Sequence, residues 1–530
     1  MDVETRPFAF DSKTRTPWSV NESWFDDNIS CDGLDDLSNA QNWKLGKNEP
    51  FSFHGRIHAL ESGSESSFGD VVDFDGLDDP AKAQNWRPGK KWTMITVLAL
   101  MTFISTLAST MFAPSVPSVM MEFRSTSTTL STFVVSVYVL GNATGPLILA
   151  PLSELFGRAP VYHATNALYV ICTAACALSA NLSMLIVFRF FAGAMGAAVL
   201  SLGGGTITDL FIPEQRGTAM AVWSLGPLLG PVVGPVAGGF ISSALGWRWI
   251  FWILTIASGV VTIAYYFFVP ESYSPALLEK KASLLRERGN PYLRSKLASP
   301  LSRSATLYRA IVRPTQMLLF CPVVTLLSIF IAVVYGQLYL LYTTITFVFE
   351  EQYHFAYRTS GLAFLGLGVG MLLGAGIFGA VSDRTLKAKE KENGLKPEYR
   401  LPVMMYGIVI IPIGLVIYGW TAEKHVMWIA PIIGTAFVGA GMMATFAYLV
   451  DAFPLYSASA VAANTVLRSI AGAFLPLAGP RMYSSLGLGW GNSLLALIAV
   501  MLIPFPALLI IYGERLRKLS RFEFVLSSVK

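Results

Sequence analysis

Twelve long stretches of apolar residues recur between residues 93 and 513, and they limit the fold more than any other feature of the sequence. A helix rises about 1.5 Å per residue, so about twenty apolar residues span the ~30 Å of hydrocarbon in a bilayer. Apolar residues make up 53% of the chain and charged residues only 14%, a composition too apolar for a soluble protein of this size. The sequence therefore predicts an all-α membrane protein with twelve transmembrane helices.

The apolar stretches form two groups of six on either side of a polar segment. The first group lies at residues 93–113, 130–150, 160–180, 184–208, 218–242 and 247–269. The second lies at 318–344, 359–381, 402–420, 427–449, 457–480 and 490–513. We therefore expect a disordered tail and two six-helix bundles joined by a loop. The expected boundaries are 1–91 for the tail, 92–270 for the first bundle, 271–317 for the loop, 318–514 for the second bundle and 515–530 for a C-terminal tail.

Basic residues in the loops predict the orientation of the chain. Lys and Arg concentrate in the segments 270–317, 382–401 and 515–521, which an even number of spans places on the same side. Loops rich in Lys and Arg stay in the cytosol, so we expect both termini and the central loop there. The first ninety residues contain no early apolar core, so the sequence predicts no cleavable signal peptide. We expect a multi-pass protein of the plasma membrane.

The N-terminal tail contains a near-duplication. The sequence Asp-Gly-Leu-Asp-Asp followed by Ala-Gln-Asn-Trp occurs at residues 32–43 and again at 75–86. One interpretation is a docking motif on the tail. The other is a local duplication of which one copy is active.

Two arginines lie inside predicted spans, where charges are costly and usually functional. Arg189 lies in the outer half of the fourth span and Arg468 near the middle of the eleventh. Each could face a central cavity, or could bond to backbone carbonyls and hold helices together. The residues alone leave both interpretations open.

Carboxylates at the ends of spans recur in both halves of the chain. The second span ends with Glu154 and Arg158, and the eighth ends with Asp383 and Arg384. Asp209 closes the fourth span, and Asp451 holds the same place after the tenth. Each alone would be an ordinary charged helix end, but the matched register predicts an internal repeat, as in many transporters.

The fifth span carries Gly-Pro pairs at a spacing of four, which includes Gly230-Pro231 and Gly234-Pro235. This spacing places the glycines on one face, where a neighbouring helix can approach closely, and the prolines bend the helix. We expect a packing role, and a hinge or seal between the halves is a further interpretation.

Tyrosines and amides within the spans are candidates for a substrate cavity, because aromatic rims with a few amides suit flat or amphipathic organic molecules. Packing within the bundles is the alternative for each residue. The candidates are Tyr138, Asn142, Tyr335, Gln337, Tyr339, Tyr342, Asn464 and Arg468.

Signals for cofactor chemistry are absent from the sequence. The chain lacks the GxxxxGK[ST] phosphate loop, the HExxH zinc motif and a nucleophile elbow, and its four cysteines have no further metal ligands near them in the sequence. We expect no enzyme activity, no cofactor, no metal and no nucleic-acid partner.

Together these motifs resemble the major facilitator superfamily, and more narrowly its fungal twelve-span drug:proton antiporters. The matching segments are Ala150–Arg158, Arg189 with Gly193 and Gly196, Gly230–Gly239, Pro270–Ser272, Ala463–Ser469 and Asp79–Trp86. The resemblance covers roughly residues 75–515. Ala150, Glu154 and Ala159 depart from the common form of the first of these motifs, although Glu154 keeps the charge.

The resemblance implies roles that the residues alone do not establish. It implies a cytosolic charge latch of Glu154, Arg158 and Asp209, with Asp383 and Arg384 as the counterpart in the second half. Arg189 would take part in proton coupling, and Gly230, Pro231, Gly234 and Pro235 would shape the antiporter helix.

On this basis we expect a monomeric secondary transporter in the lipid bilayer, with a small organic molecule and protons as its partners. Proton-coupled efflux of a drug, toxin or secondary metabolite by alternating access is the leading hypothesis. Two alternatives stay open: an importer of a small organic nutrient or polyamine, and a sensor that keeps the fold without transport.

Overall fold

The computed structural model describes residues 71–76, 79–288, 290–297, 303–393, 401–445, 457–505 and 507–508. The first copy of the tail motif at 32–43, Asp451 and the C-terminal tail at 515–530 lie outside these residues, as does the side chain of Asp383. Most described residues are helical. One short parallel pair of strands, β1 (Val71–Val72) and β2 (Arg294–Ser295), joins the tail to the central loop.

The first bundle is built from the helices that precede the central loop. Their bounds are α1 (Pro88–Thr110), the short α2 (Val116–Glu122), α3 (Thr128–Phe156), α4 (Arg158–Ala177), α5 (Leu182–Leu210), α6 (Pro213–Leu245) and α7 (Arg248–Phe268). α1 packs on α6 and α7, while α5 packs on α3 and α4.

Two helices occupy the segment expected as a polar loop, and the second bundle follows them. The two are α8 (Ser274–Glu287) and α9 (Arg303–Phe320). The second bundle contains α10 (Pro322–Tyr353), the single turn α11 (Tyr357–Ser360), α12 (Leu365–Asn393), α13 (Leu401–Glu423), α14 (Ile429–Thr445), α15 (Ser457–Phe474) and α16 (Gly479–Met501).

Local sequence signals set several helix ends. Asn181 caps α5, because its side-chain oxygen accepts a hydrogen bond from the Met184 amide at 2.8 Å. Proline occupies the first position of α6 and α10, where its missing N–H costs nothing. Gly157 has φ +94°, and this lets the chain turn between α3 and α4.

Nine helical segments among the described residues are long and apolar enough to cross a membrane. One of them, Val461–Met501, comprises both α15 and α16, and α4 is not among the nine. The count of twelve therefore stays a prediction. The last helix differs most from its expected range of 490–513, since α16 begins at Gly479 and is interrupted at Gly487, where φ is +75°.

The surface of the bundles is apolar where lipid is expected. On α7, the side chains of Ile256, Val260 and Ile263 are 60%, 63% and 62% exposed, and their spacing places them on one face. Buried apolar side chains form one large cluster in each bundle. We call the side of the bundles that carries α8 the central-loop end, and the opposite side the far end.

Candidate functional site

An ion pair connects α4 and α5 at the central-loop end. The Arg158 Nε atom lies 3.3 Å from Asp209 Oδ2, and the two side chains are 12% and 17% exposed. Arg158 Nη1 also donates to the Ser153 hydroxyl at 2.6 Å, and its guanidinium lies 4.9 Å from the centre of the Tyr273 ring. The structure thus brings together two of the three residues expected in the latch.

Glu271 occupies the start of α4, a role that sequence reasoning missed. Its carboxylate accepts hydrogen bonds from the backbone amides of Arg158 and Ala159 at 3.0 Å, and from those of Ser272 and Tyr273 at 3.0 and 2.8 Å. A carboxylate is favourable there because the first amides of a helix lack partners and carry partial positive charge. Gly157 directly precedes α4, and this glycine was the sequence signal that could have indicated a helix start there.

Other charged residues at this end are not part of that cluster. Glu154 is exposed and forms no ion pair with any residue that the structure describes. Arg384 is exposed in the last third of α12, and the side chain of Asp383 lies outside the described residues. The second-half counterpart of the latch therefore stays a prediction.

Arg189 is a fully buried cation in the far half of the first bundle. It is 1% exposed, and its guanidinium lies 4.7, 5.5 and 5.7 Å from the ring centres of Phe112, Tyr138 and Phe251. It donates to the Val135 carbonyl at 3.4 Å and forms no ion pair with a described carboxylate. Aromatic faces attract a desolvated cation.

Tyr138 lies inside the first bundle, beside Arg189. Its hydroxyl donates to the Ser105 carbonyl at 2.8 Å, and the side chain is 2% exposed. The Ser105 hydroxyl in turn donates to the Gly196 carbonyl at 3.0 Å. These bonds connect α1, α3 and α5, so Tyr138 packs helices together in this conformation.

One face of α6 packs directly on α1. A Cβ atom added to Gly230 would lie 2.8 Å from the Leu107 amide nitrogen, and one added to Gly238 would lie 1.9 Å from the Met111 carbonyl oxygen. Only glycine permits this separation of the two backbones. The packing face expected from the spacing of four is confirmed by these contacts.

Another face of α6 reaches the second bundle at the far end. A Cβ added to Gly361 would lie 2.4 Å from the Pro235 carbonyl oxygen, so the two backbones touch. The Arg358 guanidinium lies 5.3 Å from the centre of the Phe240 ring across the same junction. We call this junction, formed by α6 residues 232–240 and residues 358–368, the far-end seal.

Further contacts between the bundles lie in the far half of the molecule. The Ser136 hydroxyl of α3 donates to the Ala473 carbonyl of α15 at 2.8 Å. The Tyr339 hydroxyl of α10 lies 3.5 Å from the Ser109 hydroxyl of α1. Together with the far-end seal, they close the space between the bundles on that side.

The tyrosines of α10 form a ladder of ring contacts. The ring centres of Tyr335 and Tyr339 are 5.0 Å apart, and those of Tyr339 and Tyr342 are 5.4 Å apart. Tyr342 stacks on Phe364 inside the second bundle. Gln337 lies on the other side of α10, where its amide donates to the backbone carbonyl of residue 495 in α16 at 2.9 Å. Tyr339 thus reaches the first bundle through Ser109, and Tyr342 and Gln337 pack within the second bundle.

Asn142 of α3 and Arg468 of α15 lie at a similar depth along their helices. The two helices run in opposite directions, Asn142 follows Ser136 by six residues, and Arg468 precedes Ala473 by five. Both positions are therefore about 8–9 Å from the Ser136–Ala473 contact towards the central-loop end. The Arg468 guanidinium lies 5.0 Å from the centre of the Tyr335 ring.

Asn142 and Asn464 each carry a buried amide oxygen without a hydrogen-bond partner among the described residues. Buried acceptors are costly to leave unpaired, so such atoms are suited to a donor from a ligand or water. No group of three or more His, Cys, Asp or Glu in the described ranges could hold a metal ion.

Comparisons with known proteins agree with this geometry. The family model described as the Major Facilitator Superfamily matches residues 98–476, which is most of the two bundles. The chain belongs to the major facilitator superfamily. It is accordingly a membrane transporter and not an enzyme.

Fungal transporters are close relatives of the chain. It is 54% identical to the MFS-type transporter penM of Penicillium rubens, over 82% of this chain and 87% of that one. It is 51% identical to the efflux pump radE of Floropilus chiversii, over 82% of each. The MFS transporter cpaT of Aspergillus oryzae is 48% identical, over 82% of this chain and 89% of the other.

Solved structures share the fold. The chain matches the partially occluded inward-open conformation of the xylose transporter XylE from E. coli with a TM-score of 0.59 and 16% identity, over 79% of this chain and 97% of that one. This likeness confirms the predicted all-helical major facilitator fold.

Proposed function

We propose that this transporter exports a small organic compound, a drug, toxin or secondary metabolite, in exchange for protons. The observation that carries the proposal is the 51% identity to an efflux pump across most of both chains. The Gly-Pro pattern of α6, which resembles the antiporter motif, supports export over import.

Transport would proceed by alternating access between the two bundles. The far-end seal and the Ser136–Ala473 contact favour a conformation closed at the far end. Rocking of the bundles would separate these contacts and bring the central-loop ends together. Arg158, Asp209 and Glu154 would form the latch at that end, and Asp383 and Arg384 would form its counterpart.

Arg189 would couple transport to protons. A cation held by three aromatic rings without a described carboxylate partner responds strongly to any change in local charge. Proton movement during the cycle would change its surroundings.

The substrate would bind between the bundles near the middle of α3, α10 and α15. Tyr335, Tyr339, Asn142, Asn464 and Arg468 approach this region and offer aromatic faces, amide oxygens and a cation. Such a set suits a flat organic molecule with a few polar groups. Tyr138, Tyr342 and Gln337 would join it only after rearrangement of the helices.

We further propose a monomer in the plasma membrane with both termini and the central loop in the cytosol. The Lys- and Arg-rich segments 270–317 and 382–401 support this orientation. The far end would then face the outside of the cell.

The test is transport in sealed vesicles that carry the purified full-length chain. A panel of fluorescent aromatic compounds is loaded, and an imposed pH gradient is either kept or collapsed with a protonophore. We expect transport of at least one compound against its gradient, with loss of accumulation when the pH gradient collapses. The variant Arg189→Met serves as the matched inactive protein.

Other outcomes would contradict the proposal. Uptake into cells that overproduce the chain would indicate an importer. Binding of a compound without transport would indicate a sensor. Transport that is unaffected by the protonophore would exclude proton coupling.

A further inference from the structure

A cavity opens at the far end of the first bundle, where α7 begins. Its volume is about 470 Å³. The walls include Glu122 at the end of α2 and four residues from the first turns of α7, which are Arg248, Trp249, Trp252 and Ile256. We call it the α7 cavity. It combines a carboxylate, a cation and aromatic rings at the membrane-facing surface.

One face of α7 leads from this cavity along the apolar surface of the bundle. Trp249, Trp252, Ile256, Val260 and Ile263 follow one another at spacings of three or four, so they share that face. From Trp252 to Ile263 the helix rises about 16 Å. This rise is close to half of the ~30 Å of hydrocarbon in a bilayer. The cavity therefore lies at the level of the headgroups when the face contacts the acyl chains of one leaflet.

An ion pair forms the polar wall of the α7 cavity. Arg248 Nη1 donates to Glu122 Oε1 at 2.5 Å, and the Trp247 indole donates to Glu122 Oε2 at 2.6 Å. Arg248 Nη2 donates to the Ser179 carbonyl at 3.1 Å. These bonds position both charged groups, although the side chains of Arg248 and Glu122 are still 38% and 42% exposed.

Both members of the ion pair keep hydrogen-bonding capacity for a ligand. A guanidinium has more N–H donors than the two that Arg248 uses, and a carboxylate has more acceptor positions than the two that Glu122 fills. The pair has no net charge. A ligand with one positive and one negative group therefore matches it better than a simple anion or cation does.

Two tryptophans add aromatic faces to the cavity. Trp249 is 45% exposed and Trp252 is half-buried, and neither contacts another aromatic ring in the described part of the chain. Trp247, in contrast, is buried with its ring against Phe112 and Phe123. Open aromatic faces attract quaternary ammonium groups, and a nearby carboxylate adds to that attraction.

We propose that the α7 cavity binds one phosphatidylcholine molecule from the membrane. The choline group would lie against Trp249 and Trp252, close to the Glu122 carboxylate. The phosphate would accept hydrogen bonds from Arg248. One acyl chain would follow the exposed face of α7 towards the middle of the bilayer.

Other lipids match the cavity less well. An anionic phospholipid without an ammonium group would place its charge near Glu122 and leave the aromatic faces without a cation. A sterol has a single hydroxyl and would leave both members of the ion pair without a ligand partner. Phosphatidylethanolamine carries a primary ammonium group, a compact charge that is strongly hydrated and therefore costly to place on an aromatic face.

Native mass spectrometry of the delipidated full-length chain measures the binding. The chain is titrated with phosphatidylcholine, phosphatidylethanolamine or phosphatidylglycerol, all with the same oleoyl chains. We expect one phosphatidylcholine per chain, with an affinity about fivefold or more above that for phosphatidylglycerol. Phosphatidylethanolamine should bind more weakly than phosphatidylcholine.

Variants locate the site. Trp249→Leu combined with Trp252→Leu keeps an apolar surface and removes the aromatic faces, so the affinity for phosphatidylcholine should fall to that for phosphatidylglycerol. Glu122→Gln should weaken phosphatidylcholine binding in the same direction. The matched controls are Trp490→Leu and Glu351→Gln, which change an exposed tryptophan and an exposed carboxylate of the second bundle. Both controls should bind phosphatidylcholine as the parent chain does.

Several results would overturn the proposal. One is equal affinity of the parent chain for phosphatidylcholine and phosphatidylglycerol, and another is binding of phosphatidylethanolamine as tight as that of phosphatidylcholine. A third is phosphatidylcholine binding that survives the loss of both tryptophans. A dimer that disappears in the double tryptophan variant would assign this face to a second copy of the chain instead. The readout does not depend on transport, so failure here leaves the proposed function unaffected.

Discussion

The two ends of the bundles are held by different kinds of contact. At the central-loop end, Arg158, Asp209 and Glu271 form an ion pair and charge-assisted hydrogen bonds within the first bundle. At the far end, Pro235 and Gly361 bring the backbones of the two bundles into direct contact. Charged groups thus position elements inside one bundle, and close backbone packing joins the bundles to each other.

The difference has a physical reason. An ion pair removed from water is costly to break, because each partner is left as an uncompensated charge. Van der Waals contacts are individually weak and are lost within about an ångström of separation. A junction that must open and close in each cycle is therefore better built from packed glycines than from buried charges. Arg189 is a buried charge in the far half, but it lies inside the first bundle and not at this junction.

The first prediction concerns this buried arginine and carries the largest expected effect. We expect Arg189→Met to lower the transport rate by about 100-fold, because the cation that we propose for proton coupling is lost. The melting temperature should stay the same or rise, since replacing a buried charge with an apolar side chain is often stabilising. Transport in vesicles and thermal unfolding in detergent measure the two effects.

The control for this prediction is Arg189→Lys, which keeps the charge in the aromatic cage. Transport by Arg189→Met within twofold of the parent would show that the arginine only packs. In that case the buried charge in the far half would have no part in transport.

The second prediction tests the far-end seal. We expect Gly361→Val to destabilise the closed far end by about 1–3 kcal/mol, because the added side chain overlaps the Pro235 carbonyl. A cysteine at Val232 should then react about tenfold faster with an impermeant maleimide added at the far side.

Gly376→Val is the matched control, because α12 has open space at Gly376. Its labelling should equal that of the parent. Equal maleimide labelling of the cysteine at position 232 in the Gly361 and Gly376 variants would mean that the far-end seal does not limit access to that cysteine.

The third prediction compares two carboxylates at the central-loop end. We expect Asp209→Asn to destabilise the first bundle by about 3–5 kcal/mol, since Arg158 loses its partner while largely buried. Glu154→Gln should change stability by only about 0.5 kcal/mol or less, because Glu154 is exposed. Its effect should appear in the transport rate instead.

Thermal unfolding measures the stabilities, and the double variant Arg158→Gln with Asp209→Asn tests the coupling. We expect the double variant to be more stable than the sum of the single changes implies. Additive effects would show that the pair does not act as a unit.

The fourth prediction has the smallest effect and concerns the docking of residues 71–79 on α8 and β2 of the central loop. Amide hydrogen bonds from Asp75 and Ala81 lower the pKa of Asp79 below its ordinary value of 3.8, and Lys281 lowers it further. A depressed pKa contributes stability above the unfolded value, and this contribution is lost as the pH falls through the folded value. Docking should therefore weaken below about pH 4.

The distance between spin labels attached at neutral pH to Phe74→Cys and Leu285→Cys, measured after transfer to each pH, reports the docking, because it does not require a reactive thiolate. We expect the docked fraction to fall a few-fold on acidification, and Asp79→Asn to remove most of that dependence. An unchanged pH profile in Asp79→Asn would assign the effect to another group, such as Asp73.

The sequence by itself determined the membrane class and the pairing of motifs between two halves. Long apolar runs can satisfy their backbone only as helices in lipid, and this holds whatever the neighbouring helices do. The glycines of α6 were also predictable as a packing face, because a spacing of four places them on one side. Resemblance to a known family supplied the rest of the expected fold.

Tertiary structure decided which side chains meet. Glu271 caps α4 and Glu154 stays exposed, although both are carboxylates near a helix end in the sequence. Gln337 faces α16 rather than the first bundle, because its rotation on α10 depends on packing. Contacts between residues more than a hundred positions apart depend on how helices turn and cross, and local sequence patterns carry no information about that geometry.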